Sequence, residues 1–183
     1  MPAPDQFETF AAPIVVGVVS DTHITARRRA LPAPLVEGLR GVDLILHAGD
    51  LTSAHALALL EAIAPVRAVI GNNDEPELRL RLPRIRYFRF GGFTVGLMHG
   101  HDVDHLSARQ AAGRTLVGRV DVAIFGHSHQ PLCEWRDGTL LFNPGSPTAK
   151  RWQPRFSYGI IRFADVIEPE LRFFDWRGAM RRA

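Results

Sequence analysis

The chain has 183 residues, a formal net charge of +3, 46% hydrophobic residues and 22% charged ones, a balance that excludes a disordered or fibrous protein. At this length a chain buries roughly 70% of the surface that its unfolded form exposes, and no apolar run reaches the roughly 18–20 residues of a membrane span, so a full core and no membrane partner are expected. The one cysteine, Cys133, excludes an internal disulfide framework and a cysteine-rich zinc module, and a reducing, cytoplasmic setting is expected.

Residues 1–13 hold three prolines and no periodic pattern, and read as a flexible tail before one domain over 14–183. Ile14–Val19 is apolar and β-branched, the pattern of a buried strand. Val42–Leu46 reads as a second strand, Ser53–Ile63 as an amphipathic helix with Ser53 as N-cap, and Val66–Ile70 as a third strand. Arg86–Phe90 and Phe93–Met98 flank Gly91-Gly92, a hairpin signal. The pattern predicts a helix over Val103–Val117 and a strand over Val120–Phe125. Leu132–Arg136, Thr139–Phe142, Tyr158–Phe163 and Glu170–Phe174 then read as strands with no helix between them. The first half alternates β and α and the second is mostly β, which places the chain in the α/β class.

Polar clusters fall at the C-terminal ends of these strands: Asp21-Thr22-His23, His47-Ala48-Gly49-Asp50, Gly71-Asn72-Asn73-Asp74, His99-Gly100-His101 and Gly126-His127-Ser128-His129. Ligands bind outside the carboxyl ends of strands in open α/β sheets, so five such clusters converge on one site. Carboxylate, imidazole and amide oxygen suit manganese, nickel, iron or zinc, and the lack of thiolate argues against a structural zinc. Alternate residues of an extended segment face the same way, so Asp21 and His23 can reach one ion, as can His127 and His129. Asp21, His23, Asp50, Asn72, His99, His127 and His129 are seven candidate ligands, too many for one ion; a bridging Asp50 makes two sets of four. Any one cluster is weak evidence, since Gly-Asp is usually a turn and a lone histidine is usually a hydrogen-bonded core residue. The ordered set at strand ends carries the argument.

As a set, these motifs, with Asn143-Pro144-Gly145-Ser146-Pro147, resemble the calcineurin-like metallophosphoesterases, in the order and spacing of their small, uncapped bacterial and archaeal phosphodiesterase branch. The resemblance covers roughly Ile14 to Phe163. It implies a four-layer α/β/β/α sandwich, with two mixed sheets flanked by helices. It implies a dinuclear phosphodiesterase with two divalent ions, manganese first and nickel, iron or zinc as alternatives, acting through a hydroxide that bridges them. By position, Asp21, His23, Asp50 and His129 would hold one ion, and Asp50, Asn72, His99 and His127 the other. Many relatives carry histidine, often assigned to protonate the leaving group or bind phosphate, where this chain has Asn73, a neutral amide. Asn73 and His101 are the candidate substrate contacts. The chain has no room for a large capping domain, so a small or accessible phosphodiester is the expected substrate. The same fold includes trafficking scaffolds with degraded metal sites, which is the competing reading.

A nuclease is a third reading. Arginine supplies 21 of the 22 basic residues, and Arg79, Arg81, Arg84, Arg86 and Arg89 could track a nucleic-acid backbone, although a solvated face and edge strand is the heavier reading. Arg27-Arg28-Arg29 reads as a solvated run, His55 and His105 as helix-surface residues, and Cys133 as an inert packed thiol. His47 is either a partner of the site or a buried polar group. A homo-oligomer is left open.

Overall fold

The computed structural model describes residues 3, 6–25, 30–101 and 105–176. Arg27-Arg28-Arg29 and the start of the expected Val103–Val117 helix lie outside the described residues. The strands are β1 (Phe7–Phe10), β2 (Ile14–Val19), β3 (Leu44–His47), β4 (Val66–Ala68), β5 (Ile85–Phe90), β6 (Phe93–Met98), β7 (Val122–Ile124), β8 (Leu132–Arg136), β9 (Thr139–Asn143), β10 (Phe156–Phe163) and β11 (Ile167–Phe174). The helices are α1 (Ala33–Gly38), α2 (Ala54–Glu61), α3 (Pro76–Arg81) and α4 (Ala108–Leu116). No helix among them is long and apolar enough to cross a membrane.

Two mixed sheets form, in the orders β1-β5-β6-β7-β9-β8 and β11-β10-β2-β3-β4. Strand alternation builds three cores from them. Val16, Val18, Leu44, Leu46, Val95, Leu97, Val122, Ile124, Leu140 and Phe142 point into the space between the sheets and pack with Phe88, Phe90 and Phe163. Ile45, Val19 and Ala68 face the other way, onto Leu35 and Leu39 near α1 and Leu60 of α2. Met98, Ala123 and Leu141 face Ala111, Ala112 and Leu116 of α4. The result is the expected α/β/β/α order of layers.

Ser53 caps α2 as expected, its hydroxyl accepting from the Ala56 N–H. The helix expected from Val103 begins at Ala108, where Ser107 and Gln110 form a capping box, so His105 precedes the helix instead of lying on it. Two helices were not legible. Both α1 and α3 have six residues with proline in the first turn, too short to show a period. The expectation of a loose tail over 1–13 is corrected for residues 7–10. They form β1, which pairs in parallel with β5 from Phe7↔Tyr87 to Phe10↔Phe90. Phe10 packs 5.3 Å from the Phe90 ring, and the guanidinium of Arg67 grips Glu8 through Nε at 2.8 Å and Nη2 at 2.7 Å. The strand owes its order to these distant partners, which local composition does not reveal.

Candidate metal centre

All seven candidate ligands sit at strand ends on one side of the molecule. Asp21 and His23 follow β2, Asp50 follows β3 and Asn72 follows β4, all in one sheet. His99 follows β6, and His127 and His129 follow β7, in the other. The centre therefore straddles the seam between the sheets. Its backbone is unusual: Asp21, His23, Asp50, His127 and His129 all have positive φ, between 45° and 66°. Side-chain-bearing residues seldom adopt this region, and such strain clusters at functional sites.

Among the described residues, two groups of donor atoms lie within 4.8 Å of one another: Asp21, His23 and His129, and Asp21, Asp50 and His99. Asp21 thus faces both groups, whereas the sequence pairing gave the shared role to Asp50. Asp50 still stands between them, with Oδ2 at 3.7 Å from His23 Nε2 and 3.5 Å from His99 Nε2. Asn72 joins through Oδ1, 3.1 Å from His99 Nε2. His127 brings its ring edge-on to His99, with centroids 5.1 Å apart, and the His101 ring lies 5.1 Å from that of His99.

The hydrogen bonds decide what this cluster can hold. His99 Nδ1 meets the Ala48 carbonyl at 2.7 Å, and His129 Nδ1 meets the Ala149 carbonyl. A carbonyl only accepts, so both Nδ1 atoms carry the proton and both Nε2 atoms face the centre. There His129 Nε2 lies 3.2 Å from Asp21 Oδ1 and 3.4 Å from His23 Nε2. Asp21 Oδ1 is buried and has no hydrogen-bond partner, while Oδ2 accepts from Ser20 Oγ at 2.6 Å and the His127 N–H at 3.0 Å. Lone pairs packed this closely repel one another unless positive charge lies among them. The donor set, nitrogen and oxygen with no thiolate, fits divalent transition metals.

The electrostatics agree. Burial opposes the Asp21 charge, yet His129, His99 and Ser20 outweigh it and hold the carboxyl below its usual range. Asp50 too is held below its usual range against its own burial, by His99 and by two bonds from Asn73. Burial opposes a proton on His99 too, but Asp50 and Asp21 raise its pKa. Burial lowers that of His23 and His127. The field that retains a proton at His99 is the field that would retain a cation.

Asn73 donates through N to Asp50 Oδ1 at 2.8 Å and through Nδ2 to Oδ2 at 2.6 Å, so it holds the carboxylate between the groups. His47 is fully buried with Nε2 3.2 Å from Thr22 Oγ1, which places it against the Asp21–His23 loop. Gly71 and Gly126 allow close approach: a Cβ at 71 would lie 2.1 Å from Asp50 Oδ1, and one at 126 would lie 2.9 Å from Asp21 Oδ2.

Sequence reasoning assigned no role to Asp74 and read Arg79 only as one of a basic stretch, not as part of the centre. Buried Asp74 accepts the Gly71 N–H on Oδ2 and the Thr52 N–H on Oδ1, both at 2.6 Å, and so ties two loops of the centre together. Its place in Gly71-Asn72-Asn73-Asp74, a run of turn-forming residues, was the available signal. Arg79 donates to the carbonyls of Asp74 at 2.8 Å and Asn72 at 2.6 Å. Nothing local announces this role, because it depends on the illegible α3. Of the other arginines in the stretch, Arg81 pairs with Glu77, Arg86 bonds the Ala68 carbonyl and Arg89 lies over the Phe7 ring. Cys133 is exposed, not packed.

Residues 14–165 match the model of the calcineurin-like phosphoesterase superfamily domain. A probable metallophosphoesterase of Methanothermobacter thermautotrophicus is 43% identical over 138 residues, covering 75% of this chain and 80% of that protein. A probable metallophosphoesterase of Methanocaldococcus jannaschii is 38% identical over 165 residues, covering 86% of this chain and 80% of that one. Among solved structures, the Vps29 protein of Entamoeba histolytica complexed with zinc superposes with a TM-score of 0.70 at 26% identity, covering 88% of this chain and 100% of that one. A structure described as a novel archaeal phosphodiesterase gives the same TM-score and coverage at 23% identity and is similar in fold.

Proposed function

Because this chain belongs to the calcineurin-like phosphoesterase superfamily, we propose that it is a dinuclear phosphodiesterase whose ions lie at the seam between its sheets. The observation that carries the reading is the donor set itself: buried carboxylate, imidazole and amide acceptors converging with an unpartnered Asp21 oxygen among them. Two divalent ions, when bound, supply the charge that offsets a phosphate and lower the pKa of a water, so that a nucleophile exists near neutral pH.

The residues divide the remaining work. Asp21, His23, Asp50 and His129 would hold one ion, and Asp50, Asn72, His99 and His127 the other. The Ala48 and Ala149 carbonyls fix which nitrogen of His99 and His129 faces inward, which orients each ring. Ser20 and the His127 N–H occupy one oxygen of Asp21 and leave the other turned inward. His101, whose ring lies beside that of His99, and Asn73, which bonds Asp50, are the residues we assign to contact a substrate phosphate. Manganese is the first candidate for the ions.

The test is metal content and hydrolysis of bis(p-nitrophenyl) phosphate, with p-nitrophenyl phosphate as the monoester control. Wild type should bind two ions per chain and prefer the diester. Asp50→Asn should lose at least one ion and nearly all activity, and His55→Ala should leave metal content unchanged. Retention of both ions with near-native activity in Asp50→Asn would contradict the assignment.

A further inference from the structure

The segment following β9 is pressed against the back of the centre. Asn143 Nδ2 donates to the Gly126 carbonyl at 3.0 Å and to Ser128 Oγ at 3.1 Å, which braces the loop carrying His127 and His129. Ser146 Oγ donates to the Asp21 carbonyl at 2.7 Å and accepts the Ala149 N–H at 2.9 Å. The Thr148 hydroxyl donates to the Thr22 carbonyl and lies 3.3 Å from that of Asp21. Ala149 then accepts from His129 Nδ1. Asn143, Ser146 and Thr148 are all at most 3% exposed.

The carbonyls that Ser146 and Thr148 hold belong to a strained stretch of the site, where Asp21 has φ 53° and His23 has φ 45°. Such conformations persist only where the surroundings over-determine them. On its inner side the stretch is held by ladder-like bonds from the N–H groups of Asp21, His23 and Ile24 to the carbonyls of Gly49, Asp50 and Leu51. Its carbonyls are held by side-chain hydroxyls: that of Asp21 accepts from Ser146, that of Thr22 from Thr148, and that of Ile24 from Ser53 Oγ at 2.8 Å.

We propose that Ser146 and Thr148 are positioning residues: by donating to the Asp21 and Thr22 carbonyls they impose the left-handed backbone that turns Asp21 Oδ1 and His23 Nε2 toward His129. The inference rests on the metal reading above, and acts on the ion-binding group that contains Asp21, His23 and His129. Neither hydroxyl touches the centre, so their effect passes through the backbone.

The experiment compares wild type with Thr148→Val, which keeps shape and removes the donor, and Thr148→Ser, which keeps the donor. Cobalt is titrated into each metal-free protein and followed by its visible spectrum. Hydrogen exchange is measured without metal at the amides of Asp21, His23 and Ile24. Thr148→Val should weaken cobalt binding by about 10–100-fold, the usual effect of losing an outer partner of a metal ligand. It should also speed exchange at the three amides, and Thr148→Ser should restore both. If Thr148→Val does not fold, Ser146→Ala, which deletes the 2.7 Å bond to Asp21, takes its place. Unchanged cobalt binding and exchange in Thr148→Val, or a Thr148→Ser variant as impaired as Thr148→Val, would overturn the proposal. A wild type that binds no cobalt would instead overturn the metal reading, and the metal-free exchange would still decide this one.

Discussion

Gly71→Ala places one methyl group where the chain has no room for it. The new Cβ would lie 2.1 Å from Asp50 Oδ1 and 2.2 Å from Asp50 N, whereas ordinary contact begins at 3.4 Å. Rotating the carboxylate relieves only the first clash, and both of its oxygens are already held by Asn73. The backbone nitrogen cannot rotate away, so the two loops must separate by about 1.2 Å. Asp74 resists that separation, because it grips the Gly71 N–H at 2.6 Å while bonding Thr52 beside Asp50. A displacement of about 1 Å in a reacting constellation costs on the order of 10²-fold in rate. The clash lies beyond the end of β4, outside the core between the sheets, so the fold should survive. The assay is kcat/KM for bis(p-nitrophenyl) phosphate at saturating manganese, with metal content and thermal unfolding measured on the same samples. Gly92→Ala, whose Cβ would meet nothing within 4 Å, is the control. A folded Gly71→Ala protein within threefold of wild-type kcat/KM would refute the claim that this contact places Asp50.

Asn73→His should speed diesters with poor leaving groups more than those with good ones. A neutral amide cannot protonate a departing alkoxide, a deficit of ~10²–10⁴-fold where no other acid serves. A shallow dependence of kcat/KM on leaving-group pKa in the native protein would show that another group already supplies the proton, with His101 next in line. Burial pushes His47 down to about 3, against an ordinary value of 6.5, with Asp21 opposing. Between those values the unfolded chain binds the proton and the folded one does not. His47 therefore contributes stability in full above about pH 6.5, lost at up to ~1.4 kcal/mol per pH unit as the pH falls toward 3. Urea unfolding of metal-free protein from pH 7 to 4 should show a shallower decline in His47→Gln than in wild type, and parallel declines would exclude this role for His47.

The candidate site was more legible than parts of the frame around it. Asp21, Asp50, Asn72, His99 and His127 could be found because each directly follows an apolar run, and strand ends on one side of a sheet are neighbours wherever the chain goes between them. The four-residue β1 was hidden because its order comes from Phe88, Phe90 and Arg67, more than fifty positions away. α3 was hidden because the six residues Pro76–Arg81 cannot display a helical period, and with it went the role of Arg79. The contacts of Ser146 and Thr148 with Asp21 and Thr22 join residues about 125 positions apart. No local pattern signals a hydroxyl that serves a distant carbonyl. Asn73 was singled out for its chemistry, but its grip on Asp50 depends on the fold of two loops.

The two sheets contribute to the centre unequally: Asp21, His23, Asp50 and Asn72 from one, His99, His127 and His129 from the other. Between them lie mostly aliphatic and aromatic side chains, whose attraction is non-directional and leaves sliding of one sheet over the other cheap compared with separating them. An ion gripped from both sides acts as a rivet through this greasy joint, since any shear must lengthen bonds of fixed direction. Loading the centre would therefore do mechanical as well as chemical service: an ion held there would lock the relative placement of the layers, and at a hundredfold excess over its dissociation constant would add roughly 2.7 kcal/mol to the folded state. The same joint makes the reaction site a gauge of the whole sandwich, because a repacking of Phe88 or Phe142 far from any ligand would be felt as a change in the spacing of imidazoles and carboxylates at the rim.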